Sequence, residues 1–458
     1  MPLRGSLRRF RATEFGGLAR DSFHVGIWQA AISVADLVQL TLITHVLGLT
    51  EFGRLALVMS FVVVVGQFFD VRVGTAATRF GAGRLAAGDV EGLSGLLQLS
   101  FLIDVLTGVL GFLFVAALAP FVGPPLVGGN GTSLILLYGL TLLISTADES
   151  CFSILRLMDR FRLLAGCGVG LEVLRVGMIG AALAISPSLM SVLLALVAYD
   201  LVGAATNFFV ANLVFARIFG RSLRRPSLSA FNEKRRMIRM VLHTNVVSYV
   251  RIAQVQLPTL LLGILSTTTQ VAIYKVGSAA ATMVGRLADP GYAAVLPRLS
   301  RLWASGRRDD VRYLVARSTV AAAGVMGVAL FVVILLRDPI LRLLGGSGGS
   351  AGATVLVLVG IGQAVNGVLF WNTGLLFAAG RAGAVAGIAA AGIVIQVGLL
   401  VPLVAFFEAN GAAAALLTSY LLTNLVATVL ALRTIGWPRV SSGQTAELQE
   451  SSLPRGQP

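Results

Sequence analysis

Charge is what this sequence has least of. Asp, Glu, Lys and Arg make up 12% of its 458 residues, about half the share found in a soluble domain. Lysine is almost absent: Lys234 and Lys275 are the only two, and neither stands in a Gly-x4-Gly-Lys-Ser/Thr context. That excludes a phosphate-cradling loop and hydrolysis-driven work within this chain. The three histidines, His24, His45 and His243, are scattered, and no His-Glu-x-x-His occurs. No metal site, cofactor or catalytic group is therefore expected. Two cysteines, Cys151 and Cys167, lie in apolar segments without redox spacing and read as small core hydrophobes. Gly345-Gly346-Ser347-Gly348-Gly349 matches the spelling of a hydrolase nucleophile elbow. It has no strand before it and no histidine partner, so it reads as a turn.

What is present is apolar. Residues of hydrophobic type make up 56% of the chain, in repeated runs long enough to cross a hydrocarbon core of about 30 Å. An all-α polytopic membrane protein follows. Twelve transmembrane helices are expected near 24–47, 53–72, 93–119, 131–156, 162–185, 189–216, 238–264, 270–297, 312–336, 352–378, 383–407 and 411–433, with Gly and Pro at the joins. The Arg-rich start resembles a signal n-region, but the apolar run behind it is long, contains Asp36 and leads into further spans. It reads as an uncleaved first helix.

The formal net charge of +15 sits in short loops. Alternate loops hold groups such as Arg72, Arg79 and Arg84, or Arg298, Arg301, Arg307, Arg308 and Arg312, whereas the opposite set holds only Arg54, Arg337 and Arg342. This asymmetry predicts cytoplasmic termini and accounts for the charge through membrane orientation and anionic headgroups rather than nucleic acid. The domain plan is a basic cytoplasmic N-terminus (1–23), a first lobe of six helices (24–216), a basic linker (217–237), a second six-helix lobe (238–433) and a polar tail (434–458) expected to be disordered. A shift of 219 residues places His24 on His243, Gly66 on Gly285, Asp70 on Asp289 and Arg79 on Arg298. Six helices is an even number, so such a repeat relates the lobes in parallel, about an axis along the membrane normal.

The candidate functional residues are charges inside spans. A cation at a helix centre costs about 2.5–3.5 kcal/mol on insertion scales, so it usually faces a cavity or a partner. The first half carries Asp36, Asp104, Asp148, Glu149, Glu172 and Asp200 against Arg175; the second carries Arg251, Lys275 and Arg286 against Asp289. Glu172 with Arg175, and Arg286 with Asp289, are three apart and can neutralise each other. Lys275 stands near a span end, from where it can snorkel. Asp148 and Glu149 can pair with Arg156 or Arg160. Asp36, Asp104, Asp200 and Arg251 fall near mid-span. Gln29, Ser33 and Gln39 extend Asp36 into a polar stripe, and Ser248 and Gln254 do the same for Arg251. Such stripes on repeat-related helices are expected to wall a central cavity; the alternative is an Asp36–Arg251 pair that only holds the halves together.

Several short motifs carry a resemblance. Leu47-Gly48-Leu49-Thr50-Glu51-Phe52-Gly53-Arg54, Val271-Ala272-Ile273-Tyr274, Leu296-Pro297-Arg298-Leu299 and Ala379-Gly380-Arg381 resemble the polysaccharide-export flippases, of the superfamily that includes multidrug and toxin extrusion transporters and lipid II flippases. The resemblance spans about residues 20–435. It implies a V of two six-helix lobes around a central cavity lined by helices one, two, seven and eight. It also implies a bacterial inner-membrane protein that moves a polyprenyl-diphosphate-linked oligosaccharide outward for cell-surface polysaccharide assembly. Lipid II flippases usually carry two further helices, for which this chain has no room. Arg251, Lys275 and Arg286 are then expected to hold the diphosphate. Asp36, Asp104, Asp200, Gln29, Gln39 and Gln254 are expected to line the cavity or bind a coupling proton or sodium ion. Membrane lipids, a polysaccharide polymerase and glycosyltransferases are the implied partners. The rival expectation is a cation-coupled multidrug antiporter.

Overall fold

A computed structural model of the protein describes residues 3–70, 73–145, 147–220 and 252–436. Arg251, most of the basic linker and the tail beyond 436 lie outside the described residues. Within them the chain is helical, with no strand.

The run Leu3–Phe69 breaks at Gly48, whose φ of 82° is open to glycine, giving α1 (3–47) and α2 (49–69). Next come α3 (Val73–Ala86), α4 (Val90–Val127), the short α5 (Gly131–Gly139), α6 (Thr141–Ser145) and α7 (Asp148–Leu157), then α8 (Phe161–Ile185) and α9 (Leu189–Phe219). The second half holds α10 (Ile252–Leu265), α11 (Thr268–Arg286), α12 (Asp289–Ala304), α13 (Arg308–Leu335), α14 (Arg337–Gly345), α15 (Ala353–Val368) and α16 (Trp371–Ala378). The last run, Ala382–Ile435, breaks at Glu408 into α17 (382–407) and α18 (409–435). The turn expected at Gly345–Gly349 overlaps a 3-10 segment, Gly346–Gly352. Among the described residues, eight helical runs are long and apolar enough to cross a membrane, and two of them contain the breaks at Gly48 and Glu408. This is a multi-pass membrane protein.

Hydropathy does not reveal where the spans are interrupted. The segment expected at 131–156 is divided among α5, α6 and α7, and 270–297 is divided between α11 and α12. The interruptions respect the repeat: α2 stops at Phe69 beside Asp70, and α12 starts at Asp289, the residue 219 positions later. An apolar count is blind to such breaks because both sides of each remain apolar.

Packing differs between the two ends of the bundle. At the end where the chain turns near Gly48, Gly128, Ser186 and Ser266, one continuous core joins both halves. Ile43, Leu55, Leu57 and Val58 lie in it with Leu262, Val271, Tyr274 and Val355. At the opposite end the halves keep separate cores. Ala77, Leu93, Ile154 and Phe215 form one; Leu299, Val315, Trp371 and Ala431 form the other.

The joined end explains the motif at 47–54. A Cβ on Gly53 would lie 1.8 Å from the carbonyl oxygen of Thr268, so only glycine lets α2 approach the start of α11. Arg54 pairs with Glu51 at 2.9 Å and donates to the Val127 carbonyl at 2.8 Å, anchoring α2 to the end of α4. The Thr50 and Thr269 hydroxyls meet at 3.1 Å, and these residues are 219 apart. Two repeat-related residues in mutual contact must flank the axis of the repeat.

Candidate functional site

Below that contact a second one crosses between the halves. Gln256 Oε1 on α10 accepts from Ser60 Oγ of α2 at 2.9 Å and from Lys275 Nζ of α11 at 3.3 Å. The Lys275 ammonium thus turns to a partner inside the bundle instead of snorkelling away. Ser60 is buried, and Thr44 adds a hydrogen bond to the Leu344 carbonyl at 2.5 Å. These bonds belong to the end where the halves share one core.

The acids gather in the first half and are mostly answered there. Arg175 on α8 meets Asp36 of α1 at 2.7 Å and Glu172 at 2.8 Å, with its guanidinium 6.0 Å from the Tyr199 ring. The expected Glu172–Arg175 pair exists, and Asp36 joins it. Asp104 accepts from Ser150. Asp148 accepts from Asn207 at 2.9 Å, and Glu149 pairs with Arg156 at 3.1 Å. Asp200 feels the charges of Asp148 and Arg175, but among the described residues nothing hydrogen-bonds to its carboxylate. Gln29 and Asp36 are exposed along α1, whereas Ser33 and Gln39 are buried.

The second half answers differently. Gln396, 1% exposed, donates to the Gln254 carbonyl at 2.9 Å. Asn424 donates to Asn366 Oδ1 at 2.7 Å and accepts from Asn372 at 3.2 Å. No acid takes part in this network. Arg286 stands at the last residue of α11, and its buried Nη1 has no hydrogen-bond partner. The expected pair with Asp289 does not form among the described residues. The helix breaks at Leu287 between them, so three residues of separation no longer bring their side chains together.

Lys275 and Arg286 are not neighbours. Eleven residues of α-helix separate them by about 16 Å along the axis. Of the three expected diphosphate ligands, then, two stand at different depths and Arg251 lies outside the described residues. Arg175 as the partner of Asp36, Gln256 as the bridging acceptor and the asparagine network were not foreseen from sequence. The network had one visible signal: Asp148 and Asn207 are 59 apart and Asn366 and Asn424 are 58 apart, so similar helices in each half carry a polar pair.

Residues 18–303 match the profile of the polysaccharide biosynthesis protein family. The chain belongs to that family. Comparison with curated proteins finds no match by sequence. Among solved structures, the chain is similar to the lipid II flippase MurJ in an inward closed conformation, with a TM-score of 0.70 and 12% identity, covering 90% of this chain and 88% of that one. It is also similar to an inward-facing multidrug resistance MATE transporter of the MOP superfamily, with a TM-score of 0.67 and 14% identity over 92% and 96% of the two chains. A third similar structure is a MOP superfamily transporter from Pyrococcus furiosus described as having a binding pocket of reversed polarity. Its TM-score is 0.60 at 14% identity, over 92% of this chain and 95% of that one. At such identities the likeness concerns the fold. This member of the polysaccharide biosynthesis family therefore has the architecture of MOP superfamily transporters.

Proposed function

We propose that the protein is a flippase that carries a polyprenyl-diphosphate-linked oligosaccharide from the inner to the outer leaflet of the bacterial cytoplasmic membrane by alternating access. The observation that carries this reading is Arg286: a cation inside the bundle with a buried Nη1 that has no partner. The acids of the first half are largely matched by Arg175, Ser150 and Asn207. The unmatched charge is thus cationic and suits an anionic headgroup, since fixed guanidinium groups bind phosphate oxygens through charge-assisted hydrogen bonds.

In this reading the twelve spans form two lobes of six, and the linker joins them. Rocking about the repeat axis exposes the cavity to each side in turn. The end with separate cores carries Arg84, Arg156, Arg301, Arg308 and Arg433, which makes it the cytoplasmic end under the positive-inside rule. A protein closed outside and parted inside is ready to receive a lipid-linked substrate from the inner leaflet. Arg286, near the parted end, then meets the diphosphate first; Arg251, expected from the sequence to share this task, lies outside the described residues. Lys275 serves closure through Gln256 and takes part only when that contact opens. Asp36, Asp104, Asp200, Gln29, Gln39 and Gln254 line the route, and Asp200 is the acid best placed to take a coupling proton.

Deleting the protein should make lipid-linked oligosaccharide accumulate on the cytoplasmic side, and Arg286→Ala or Arg251→Ala should reproduce this with the protein still in the membrane. Normal export by both variants would overturn the assignment. A rival reading, cation-coupled drug antiport, is favoured by the unbonded Asp200 carboxylate. Drug sensitivity of the deletion strain with polysaccharide intact would establish it instead.

A further inference from the structure

Beside the Asn366–Asn424 contact lies a cavity of about 190 Å³, enclosed by α10, α15, α16, α17 and α18. Its polar lining is Gln254, Asn366, Thr373, Tyr420, Thr423 and Asn424, and among the described residues no carboxylate or cationic side chain lines it. Aliphatic side chains complete the wall.

The polar groups are held in a defined order. Asn372, 2% exposed, donates to Asn424 Oδ1 at 3.2 Å and to Thr428 Oγ1 at 3.3 Å. Asn424 spends its amide hydrogens on Asn366 Oδ1 at 2.7 Å and the Tyr420 carbonyl at 2.9 Å. Asn366, itself exposed, therefore has its oxygen committed and its NH2 group free. Among the described residues neither that nitrogen nor the Gln254 carboxamide has a hydrogen-bond partner. Thr373 and Thr423 donate their hydroxyl hydrogens to Asn372 Oδ1 and to the Ser419 carbonyl, which leaves their oxygens able to accept. The cavity thus offers neutral donors and neutral acceptors side by side, with an aromatic residue among them.

This chemistry selects its occupant. Among the described lining residues an ion would find no opposite charge, and a polyprenyl tail would strand the amides without partners. A sugar ring carries hydroxyls that both donate and accept and has no net charge. The location agrees: Gly285, next to Arg286, packs against Gln363 Oε1, with 2.6 Å left for a Cβ. Gln363 is one helical turn before Asn366. Arg286 thus follows a residue of α11 that packs against α15 one turn from the cavity-lining Asn366.

We propose that this cavity is the sugar subsite of the second half, which holds the residue nearest the diphosphate while Arg286 holds the phosphates. The proposal rests on the flippase reading above and adds to it a place where glycosylated and bare carrier lipids are told apart. Asn366 and Gln254 are its specificity-determining residues.

The test measures binding of three lipids to the full-length protein in nanodiscs: polyprenyl diphosphate, the same lipid bearing N-acetylglucosamine, and the same lipid bearing glucose. The wild-type protein should bind at least one glycosylated lipid about tenfold or more tightly than the bare one, the worth of one or two neutral hydrogen bonds. Asn366→Leu and Gln254→Leu should abolish that preference, and Asn366→Leu should leave affinity for bare polyprenyl diphosphate unchanged, which also shows that this variant is folded. Arg286→Ala should weaken all three lipids together. A preference that survives Asn366→Leu and Gln254→Leu, or variants that weaken all three lipids equally, would overturn the subsite. A wild type that binds all three lipids equally would overturn it too, while the flippase reading stands. A wild type that binds none of them would remove the flippase reading itself.

Discussion

The two halves carry interhelical polar pairs of different chemistry. In the first, α7 and α9 meet through Asp148 and Asn207; in the second, α15 and α18 meet through Asn366 and Asn424. An acid stands on one side of the repeat and an amide on the other. Across the first half the acids then require counter-groups, which Arg175, Ser150 and Arg156 supply. The second half has no acid in its network, and the Nη1 of its cation Arg286 has no hydrogen-bond partner among the described residues. One scaffold thus presents a half whose charges, Asp200 apart, are answered internally and a half with neutral groups and the Arg286 Nη1 to spare. Charge that is satisfied inside a fold supports the fold; charge left unsatisfied is available to a ligand.

This contrast can be broken most strongly at its two arginines. Arg175→Ala would leave Asp36 and Glu172 without a cation, and breaking a largely buried pair costs about 3–5 kcal/mol. Since Asp36 is half-exposed, a loss near about 3 kcal/mol is expected, read as a clearly lower melting temperature in detergent. Arg286→Ala should do the reverse. Export should fall at least about tenfold while the melting temperature holds, because the removed guanidinium satisfies no protein carboxylate. If the two variants behaved alike, the division between structural and ligand-facing charge would fail.

Weaker effects are expected at the joined end. Gln256→Leu removes the acceptor shared by Ser60 and Lys275 and leaves a half-buried ammonium without that partner, at a cost of about 1–3 kcal/mol to the closed state. Cross-linking of a Thr50→Cys/Thr269→Cys pair should be efficient in the parent and several-fold slower in the Gln256→Leu background. Equal cross-linking would mean that the bridge does not hold the halves together. The smallest contrast lies in the polar pairs themselves. Asn207→Ala, which deprives a carboxylate, should destabilise by about 1–3 kcal/mol, and Asn424→Ala, which deprives amides, by about 1 kcal/mol. Thermal melts of the two variants compare the halves directly.

Much of the architecture was legible in the residues. Apolar runs outlined the membrane helices, and Gly and Pro fell at many joins. The 219-residue offset also relates Thr50 to Thr269, which the structure brings into contact, whereas the break before Asp289 falls inside the helix expected at 270–297. The charge imbalance between the halves was visible as a list of residues. The pairing Glu172–Arg175 was readable too, because it lies within one unbroken helix. The apparently similar pair Arg286–Asp289 was not, because the helix ends between its members.

Hydropathy, being local, determined that this chain spans a membrane, and the 219-residue offset pointed to a repeat. Which side chains meet was decided only by tertiary structure, since Asp36 and Arg175 are 139 residues apart and Ser60 and Gln256 are 196 apart. No spacing rule reaches across such distances. Inside a low-dielectric bundle those meetings decide whether a charge is spent on the fold or kept for a ligand.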